Sequence, residues 1–168
     1  MEFVYNILRI VQILWTLLAT ALIGNVIASN VNAQSSAESA INFTMFVLVV
    51  CWIAALIGLI SSFVNALAIP IVLLSLDASA VLFTFIAAIV LSAKLTAVNC
   101  GNLSGKASDY IAFGSNSDTK RCREIQASAA FLWFLLVCFV GTLFFAFKRF
   151  RAAGGSIRSG PGMSQIGV

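Results

Sequence analysis

Four long apolar stretches, separated by polar segments, dominate the sequence. They cover about residues 4–28, 43–64, 69–93 and 129–147. Each holds about 19–25 residues, which suits an α-helix crossing about 30 Å of hydrocarbon. Helices satisfy every backbone N–H and C=O within a bilayer, and the pattern lacks the short alternating segments of a transmembrane barrel. The sequence therefore predicts an all-α integral membrane four-helix bundle over residues 1–147.

Composition supports a membrane protein and disfavours an enzyme. The chain is 61% hydrophobic and 10% charged, whereas soluble domains are about 45–50% apolar and about 25% charged. It has no histidine, the residue that most often serves as general base. The sequence shows no nucleophile–base pair and no metal constellation, so we expect no catalysis and no cofactor. Its basic residues lie in loops and a tail, which argues against nucleic-acid binding.

The segments between the spans indicate how the helices connect. Polar loops cover residues 29–42 and 94–128, whereas only residues 65–68 separate the second and third spans. That short link predicts antiparallel neighbouring helices, with Pro70 in the first turn of the third helix. Residues 148–168 are basic and lack apolar periodicity, so we expect a flexible tail.

The first span also resembles a signal peptide, but its apolar region is longer than the usual 7–15 residues and contains Arg9. We therefore expect it to be retained. Lys and Arg are equally numerous on both sides of the membrane, so their number does not set the orientation. Lys148, Arg149 and Arg151 directly follow the last span. Together with the loop cysteines, this predicts both termini in the cytosol and both polar loops outside.

Two cysteines lie in the longer polar loop. A disulfide between Cys100 and Cys122 would stabilise the fold by about 3 kcal/mol on a chain-entropy argument. The alternative is two free thiols, which a cytosolic loop would favour. Cys51 and Cys138 lie within spans and are expected to be small packing residues.

Asp77 lies within the third span, where a charge costs at least ~2.5 kcal/mol. Arg9 lies in the first span, and both helices enter from the same side of the membrane. At 1.5 Å per residue, both side chains would be about 9–12 Å deep. We therefore predict an intramembrane Arg9–Asp77 ion pair. In the alternative, Arg9 reaches the interface alone and Asp77 stays protonated.

Three spans carry small or weakly polar residues at spacings of three and four, which places each set on one helical face. Such faces let membrane helices approach closely. The residues assigned to helix packing are Thr20, Gly24, Gly58, Ser62, Ala80 and Thr84. A substrate path would need several ionisable groups around one cavity, and only Arg9 and Asp77 are available. A small transporter or proton-coupled channel using Asp77 is the alternative function.

The fourth span is rich in aromatic residues, and some of them must face lipid because they surround the helix. The basic residues Lys148, Arg149 and Arg151 follow it directly. Each could gain about 1 kcal/mol against anionic lipid, so we predict that they contact lipid headgroups. The alternative is that they only set the topology.

Several segments carry a resemblance to a known family. They are Asn6–Ile10, Pro70–Asp77, Phe83–Phe85, Cys100, and Arg121–Ala127 leading into Ala130–Trp133. On these the sequence resembles the fungal non-classical export protein 2 family of MARVEL-domain membrane proteins. The resemblance covers all four spans; it is weak in the tail.

The resemblance implies a plasma-membrane protein with cytosolic ends that organises furrow-like membrane domains associated with eisosomes. It also implies a link to sphingolipid levels and to export of proteins without signal peptides. The expected partners are membrane lipids, including sphingolipids or sterols, eisosome or other membrane proteins, and further copies of the chain. The expected function is membrane organisation through lateral packing and lipid contact.

Overall fold

Four α-helices form the computed structural model, which describes residues 2–64, 69–96 and 99–152. In chain order they are α1 (Glu2–Ala28), α2 (Ser35–Ile60), α3 (Pro70–Leu95) and α4 (Asp118–Ala152). All four are long and apolar enough to cross a membrane, judged by length and composition. The predicted all-α class with four candidate spans is confirmed.

The helices form a ring in which each one packs against two others. Both α1 and α3 lie against α2 and α4, so α1 and α3 face each other across the diagonal. The contact between α2 and α3 agrees with the short link predicted between them. Small side chains fill much of the core and allow close approach. Fully buried examples are Ala19, Ala55, Ala80, Ala87 and Ala88.

The helix bounds differ from the apolar stretches at several ends. α2 begins at Ser35 rather than 43, and α4 begins at Asp118 rather than 129. The predicted loops 29–42 and 94–128 are therefore partly helical. Hydropathy marks where a helix meets water, whereas its hydrogen-bonded turns continue wherever polar side chains and tertiary contacts support them. The bilayer boundaries themselves stay predictions.

The other helix ends also differ. α2 ends at Ile60 rather than 64, whereas α3 begins at Pro70, so its proline occupies the first turn as predicted. At the far end, α4 continues to Ala152, and the start of the predicted tail is therefore helical. The remaining part of that tail, residues 153–168, lies outside the described residues.

A cluster of loop contacts closes the end of the bundle where α1 ends and α4 begins, here called the outer end. A disulfide joins Cys100 to Cys122 and ties the long loop to α4. Val31 donates its backbone N–H to the Gly114 carbonyl at 2.8 Å, which joins the two loops. The disulfide expected from the sequence is confirmed.

Arg121 anchors the same end from inside. Its side chain is buried, and its Nε donates to the Ile111 carbonyl at 3.2 Å. Its Nη1 donates to the Val26 carbonyl at 3.3 Å and to Asn30 Oδ1 at 3.4 Å. The side chain therefore links α1, α4 and both outer loops.

Gly114 occupies a position that only glycine fits. Its φ is +103°, and a Cβ there would lie 2.4 Å from Ala33 Cα. We expect Gly114→Ala to lower the midpoint of thermal unfolding in detergent, because conformational strain alone costs about 1–3 kcal/mol. Gly105→Ala is the matched control, with φ +84° and no atom within 4 Å of the added Cβ. Equal effects of the two changes would contradict the close approach of the loops.

Candidate functional site

The structure brings Arg9 and Asp77 together. Nη1 of Arg9 lies 2.7 Å from Oδ1 of Asp77, and Nη2 lies 2.7 Å from Oδ2. Both side chains are fully buried. This two-bond geometry matches the planar guanidinium to the carboxylate and gives the strongest form of such a contact. Because α1 and α3 lie on the diagonal, the pair crosses the centre of the bundle.

The pair is the centre of a larger polar network, here called the central network. Arg9 also donates to Tyr5 Oη at 2.7 Å, to Gln12 Oε1 at 3.1 Å and to the Ala54 carbonyl of α2 at 3.4 Å. Gln12 Nε2 in turn donates to Thr142 Oγ1 of α4 at 3.0 Å. The network therefore includes groups from all four helices.

Local helix geometry explains why α1 supplies so much of this network. Tyr5, Arg9, Gln12 and Thr16 recur at spacings of three and four, so they share one face of α1. All four are buried. The polar face of α1 thus points into the bundle. This is expected in a bilayer, because lipid around the bundle offers polar side chains no hydrogen-bond partners.

Gly58 makes room for the guanidinium. A Cβ at this position would lie 2.2 Å from Arg9 Cζ, which no real structure accommodates without movement. The sequence assigned Gly58 to close approach of two helices. In the structure, the space beside it is filled by the Arg9 side chain instead.

Two other predicted packing residues form polar contacts between helices. Thr20 accepts a hydrogen bond from Trp52 Nε1 of α2 at 3.1 Å. Thr84 Oγ1 lies 3.2 Å from Cys51 Sγ, which joins α3 to α2. These two threonines therefore form hydrogen bonds to the neighbouring helix. Their small side chains also let the helices pack closely.

The remaining predicted packing residues differ in burial. Ala80 is fully buried in the core. A Cβ at Gly24 would lie 3.8 Å from Met45 Cε, an ordinary contact, so this position is not tightly packed. Ser62 is half-buried, and its hydroxyl donates to the Gly58 carbonyl of the preceding turn at 3.4 Å.

The basic cluster lies at the opposite end, where α4 finishes. Lys148 Nζ lies 5.3 Å from the centre of the Phe144 ring, and Arg151 Cζ lies 5.7 Å from that of Phe147. Both aromatic rings are exposed on the outside of the bundle. Contact between these bases and anionic lipid stays a prediction.

The third base of that cluster, Arg149, lies against the central network. Its Cζ is 4.5 Å from the centre of the Tyr5 ring, and Arg9 Cζ is 4.8 Å from the same ring. Tyr5 thus contacts one arginine of the interior and one of the basic cluster.

The sequence analysis did not predict the hydrogen bonds of Gln12 and Thr142 in the central network. It also did not predict the buried anchor formed by Arg121. Arg121 was noted as a base in the Arg121–Ala127 segment that carries the family resemblance, but nothing in the spacing distinguishes a buried arginine from a solvated one. Gln12 shares the face of Arg9, which was a usable signal. Thr142 lies on another helix, and its proximity depends on helix order that the sequence does not specify.

The site is suited to holding helices together. Every oxygen of the Asp77 carboxylate has an arginine partner. Two cavities lie at the outer end, lined by residues such as Leu22 and Ile41, and neither is lined by Asp77. Among the described residues, no group of three His, Cys, Asp or Glu could hold a metal ion.

Four apolar helices closed around an internal ion pair define a multi-pass membrane protein. The sequence matches the MARVEL membrane-associating domain over residues 3–145. It is also 35% identical over 136 residues to Non-classical export protein 2 of Saccharomyces cerevisiae, covering 80% of this chain and 75% of the relative. The chain therefore belongs to the non-classical export protein 2 family of MARVEL-domain proteins, which confirms the resemblance noted from the sequence.

A second relative supports this assignment. Non-classical export protein 2 homolog 1 of the same yeast is 31% identical over 136 residues, covering 80% of this chain and 74% of the relative. No solved structure gives a significant match.

We expect Asp77→Ala to destabilise the bundle more than Asp77→Ala combined with Arg9→Leu. Removing one partner leaves a lone buried charge, which costs about 3–5 kcal/mol, whereas removing both leaves none. Unfolding in detergent of the two single variants and the double variant measures this coupling. Additive losses would contradict an energetic pair.

We expect Gly58→Ala to destabilise the protein by displacing the Arg9 guanidinium. Gly24→Ala is the matched control, since its added Cβ meets only an ordinary contact. In a helix, Gly→Ala without a clash is favourable by about 0.8–1.0 kcal/mol. The same unfolding assay should therefore give opposite signs at the two positions. A stabilising Gly58→Ala would show that Arg9 does not need this space.

Proposed function

We propose that this protein organises the plasma membrane, shaping or maintaining eisosome-associated microdomains in response to sphingolipids. In this proposal both termini are cytosolic and the two polar loops lie outside. The protein acts through its lateral surface and its lipid contacts, with no catalytic step. The proposal includes a role in non-classical export, which the names of the relatives suggest.

The observation that carries the proposal is the contrast between interior and exterior. The charged groups of the spans are paired with each other at 2.7 Å and fully buried. A transporter using Asp77 would need this carboxylate to meet a substrate or proton path, whereas Arg9 occupies both of its oxygens. The interior is thus built for stability.

The exterior offers a large apolar surface. Exposed side chains include Phe46, Phe85, Phe134, Phe144 and Val137. In a bilayer these groups meet acyl chains or other membrane proteins, where their shape influences lateral packing. The aromatic–cation contacts of Lys148 and Arg151 lie at one rim of this surface, next to the level expected for headgroups.

The proposed orientation rests on two features at opposite ends of the bundle. The Cys100–Cys122 disulfide lies at the outer end, and disulfides persist in oxidising compartments. Lys148, Arg149 and Arg151 lie at the other end, as cytosolic bases do.

A tagged full-length protein tests the proposal by live imaging in a fungal cell. We expect patches at the plasma membrane that change when sphingolipids are depleted, and fewer or altered patches of resident markers when the gene is deleted. The interior variant Arg9→Leu with Asp77→Ala is the matched control and should still form patches, because its lateral surface is unchanged.

Uniform distribution of the tagged protein, with patches intact after deletion, would contradict the proposal. Loss of patches in the interior variant, at normal abundance and stability, would shift the function from the lipid-facing surface to the central network.

A further inference from the structure

A cavity of about 190 Å³ lies at the outer end, between the end of α1 and the start of α2. Pockets for drug-sized molecules measure about 300–1,000 Å³, so this one suits a group of only a few heavy atoms. Ile27 and Asn42 line the cavity and are exposed on the outside of the bundle. The cavity is therefore open to the surroundings of the protein.

The cavity lies at the level where the first two predicted spans meet water. Val26 and Ile27 line it just before the predicted end of the first span at residue 28. Ile41 and Asn42 line it just before the predicted start of the second span at residue 43. This level corresponds to the polar headgroup region of a bilayer. A lipid headgroup therefore reaches the cavity while its chains stay in the hydrocarbon.

Two opposite charges line the cavity and are joined by an amide. Arg121 Nη1 donates to Asn30 Oδ1 at 3.4 Å, and Asn30 Nδ2 donates to Glu38 Oε1 at 2.7 Å. Asn30 is fixed further, because its Oδ1 also accepts from the Ala33 N–H at 3.1 Å. Within the described part of the chain, Arg121 and Glu38 form no direct ion pair. The wall thus holds one positive and one negative group in place, with a formal charge of zero.

Each charged group keeps one atom available to a ligand. The hydrogen bonds of Arg121 use Nε and Nη1, and that of Glu38 uses Oε1. Among the described residues, Nη2 of Arg121 and Oε2 of Glu38 have no hydrogen-bond partner, and both retain accessible surface. Because the Arg121 side chain is only 2% exposed and lines this cavity, a ligand reaches its Nη2 through the cavity.

We propose that this cavity binds the headgroup of a zwitterionic phospholipid that carries a primary ammonium, as phosphatidylethanolamine does. The phosphate accepts from Nη2 of Arg121, and the ammonium donates to Oε2 of Glu38 and to the side-chain oxygen of Asn42. One anionic and one cationic group match the neutral wall. Choline carries the same charge but has no N–H donor. The inference stands apart from the proposed function, because it concerns which headgroup the outer end binds.

A series of methylated lipids tests the donor. Full-length protein in detergent would be titrated with phosphatidylethanolamine, its monomethyl and dimethyl forms and phosphatidylcholine, all with the same acyl chains. Native mass spectrometry counts the bound lipid. The charge is constant along the series, whereas the N–H donors fall from three to none. We expect the dissociation constant to rise by about tenfold or more over the series, since hydrogen bonds to charged groups are strong.

The acid is tested by substitution. Glu38→Gln keeps an oxygen for Asn30 but replaces the available acceptor with a donor, so phosphatidylethanolamine should lose its advantage over phosphatidylcholine. Glu124→Gln is the matched control and should leave that advantage unchanged. Glu124 also accepts from an asparagine at the outer end, Asn25 at 2.6 Å, yet it does not line this cavity.

A second variant covers the case in which Glu38→Gln does not fold, which the thermal midpoint reveals. Asn42 is exposed, so Asn42→Ala removes one oxygen from the cavity without opening the core. It should lower the preference for phosphatidylethanolamine in part.

Three results would overturn the proposal. One is equal binding of all four lipids. Another is an equal loss in Glu124→Gln, which would indicate only general attraction between ammonium groups and the acids of this end. The third is displacement of the bound lipid by millimolar phosphoethanolamine, which would indicate a site for a free zwitterion and not for a lipid headgroup.

Discussion

The contact between Arg9 and Asp77 holds the bundle across its diagonal. Adjacent helices in a membrane are joined mainly by close packing, because lipid removes the hydrophobic force between them. A contact between opposite helices adds a restraint that packing between neighbours does not provide. It limits how far the ring of helices can open or shear. Through Ala54 and Gln12–Thr142 it also reaches the other two helices. Either charge alone would cost at least ~2.5 kcal/mol in the span, so each requires the other.

The two ends of the molecule are fixed by different means. One end is held by the central network, and the other by the disulfide, by Arg121 and by the joined loops. Between them, alanines and single hydrogen bonds such as Thr84–Cys51 join the helices. These contacts restrain the helices at both ends of the bundle. Such restraint is consistent with the membrane-organising role proposed above.

Much of the fold follows from the sequence because span length and hydropathy are set by bilayer thickness. The Arg9–Asp77 pair was predictable too, since helical rise gives the depth of each charge. Its diagonal placement was not, because spacing along the chain does not specify which helices are neighbours. The early start of α4 at Asp118 was also hidden, since polar helical turns have no hydropathy signal. A glycine such as Gly58 looks the same in the sequence whether it allows close approach of a second helix or leaves space for the Arg9 guanidinium. Its role beside Arg9 was therefore not predictable.

The diagonal pair also imposes an order on synthesis. Its two residues are 68 positions apart in the chain. At about 5–20 residues per second, roughly 3–14 s separate the production of the arginine from that of its partner. During that interval α1 carries an uncompensated guanidinium, which is held at the headgroups by its long side chain. The first two helices therefore cannot settle into their final positions until the third arrives. Emergence of α3 allows the pair to form, and α4 then closes the ring of helices.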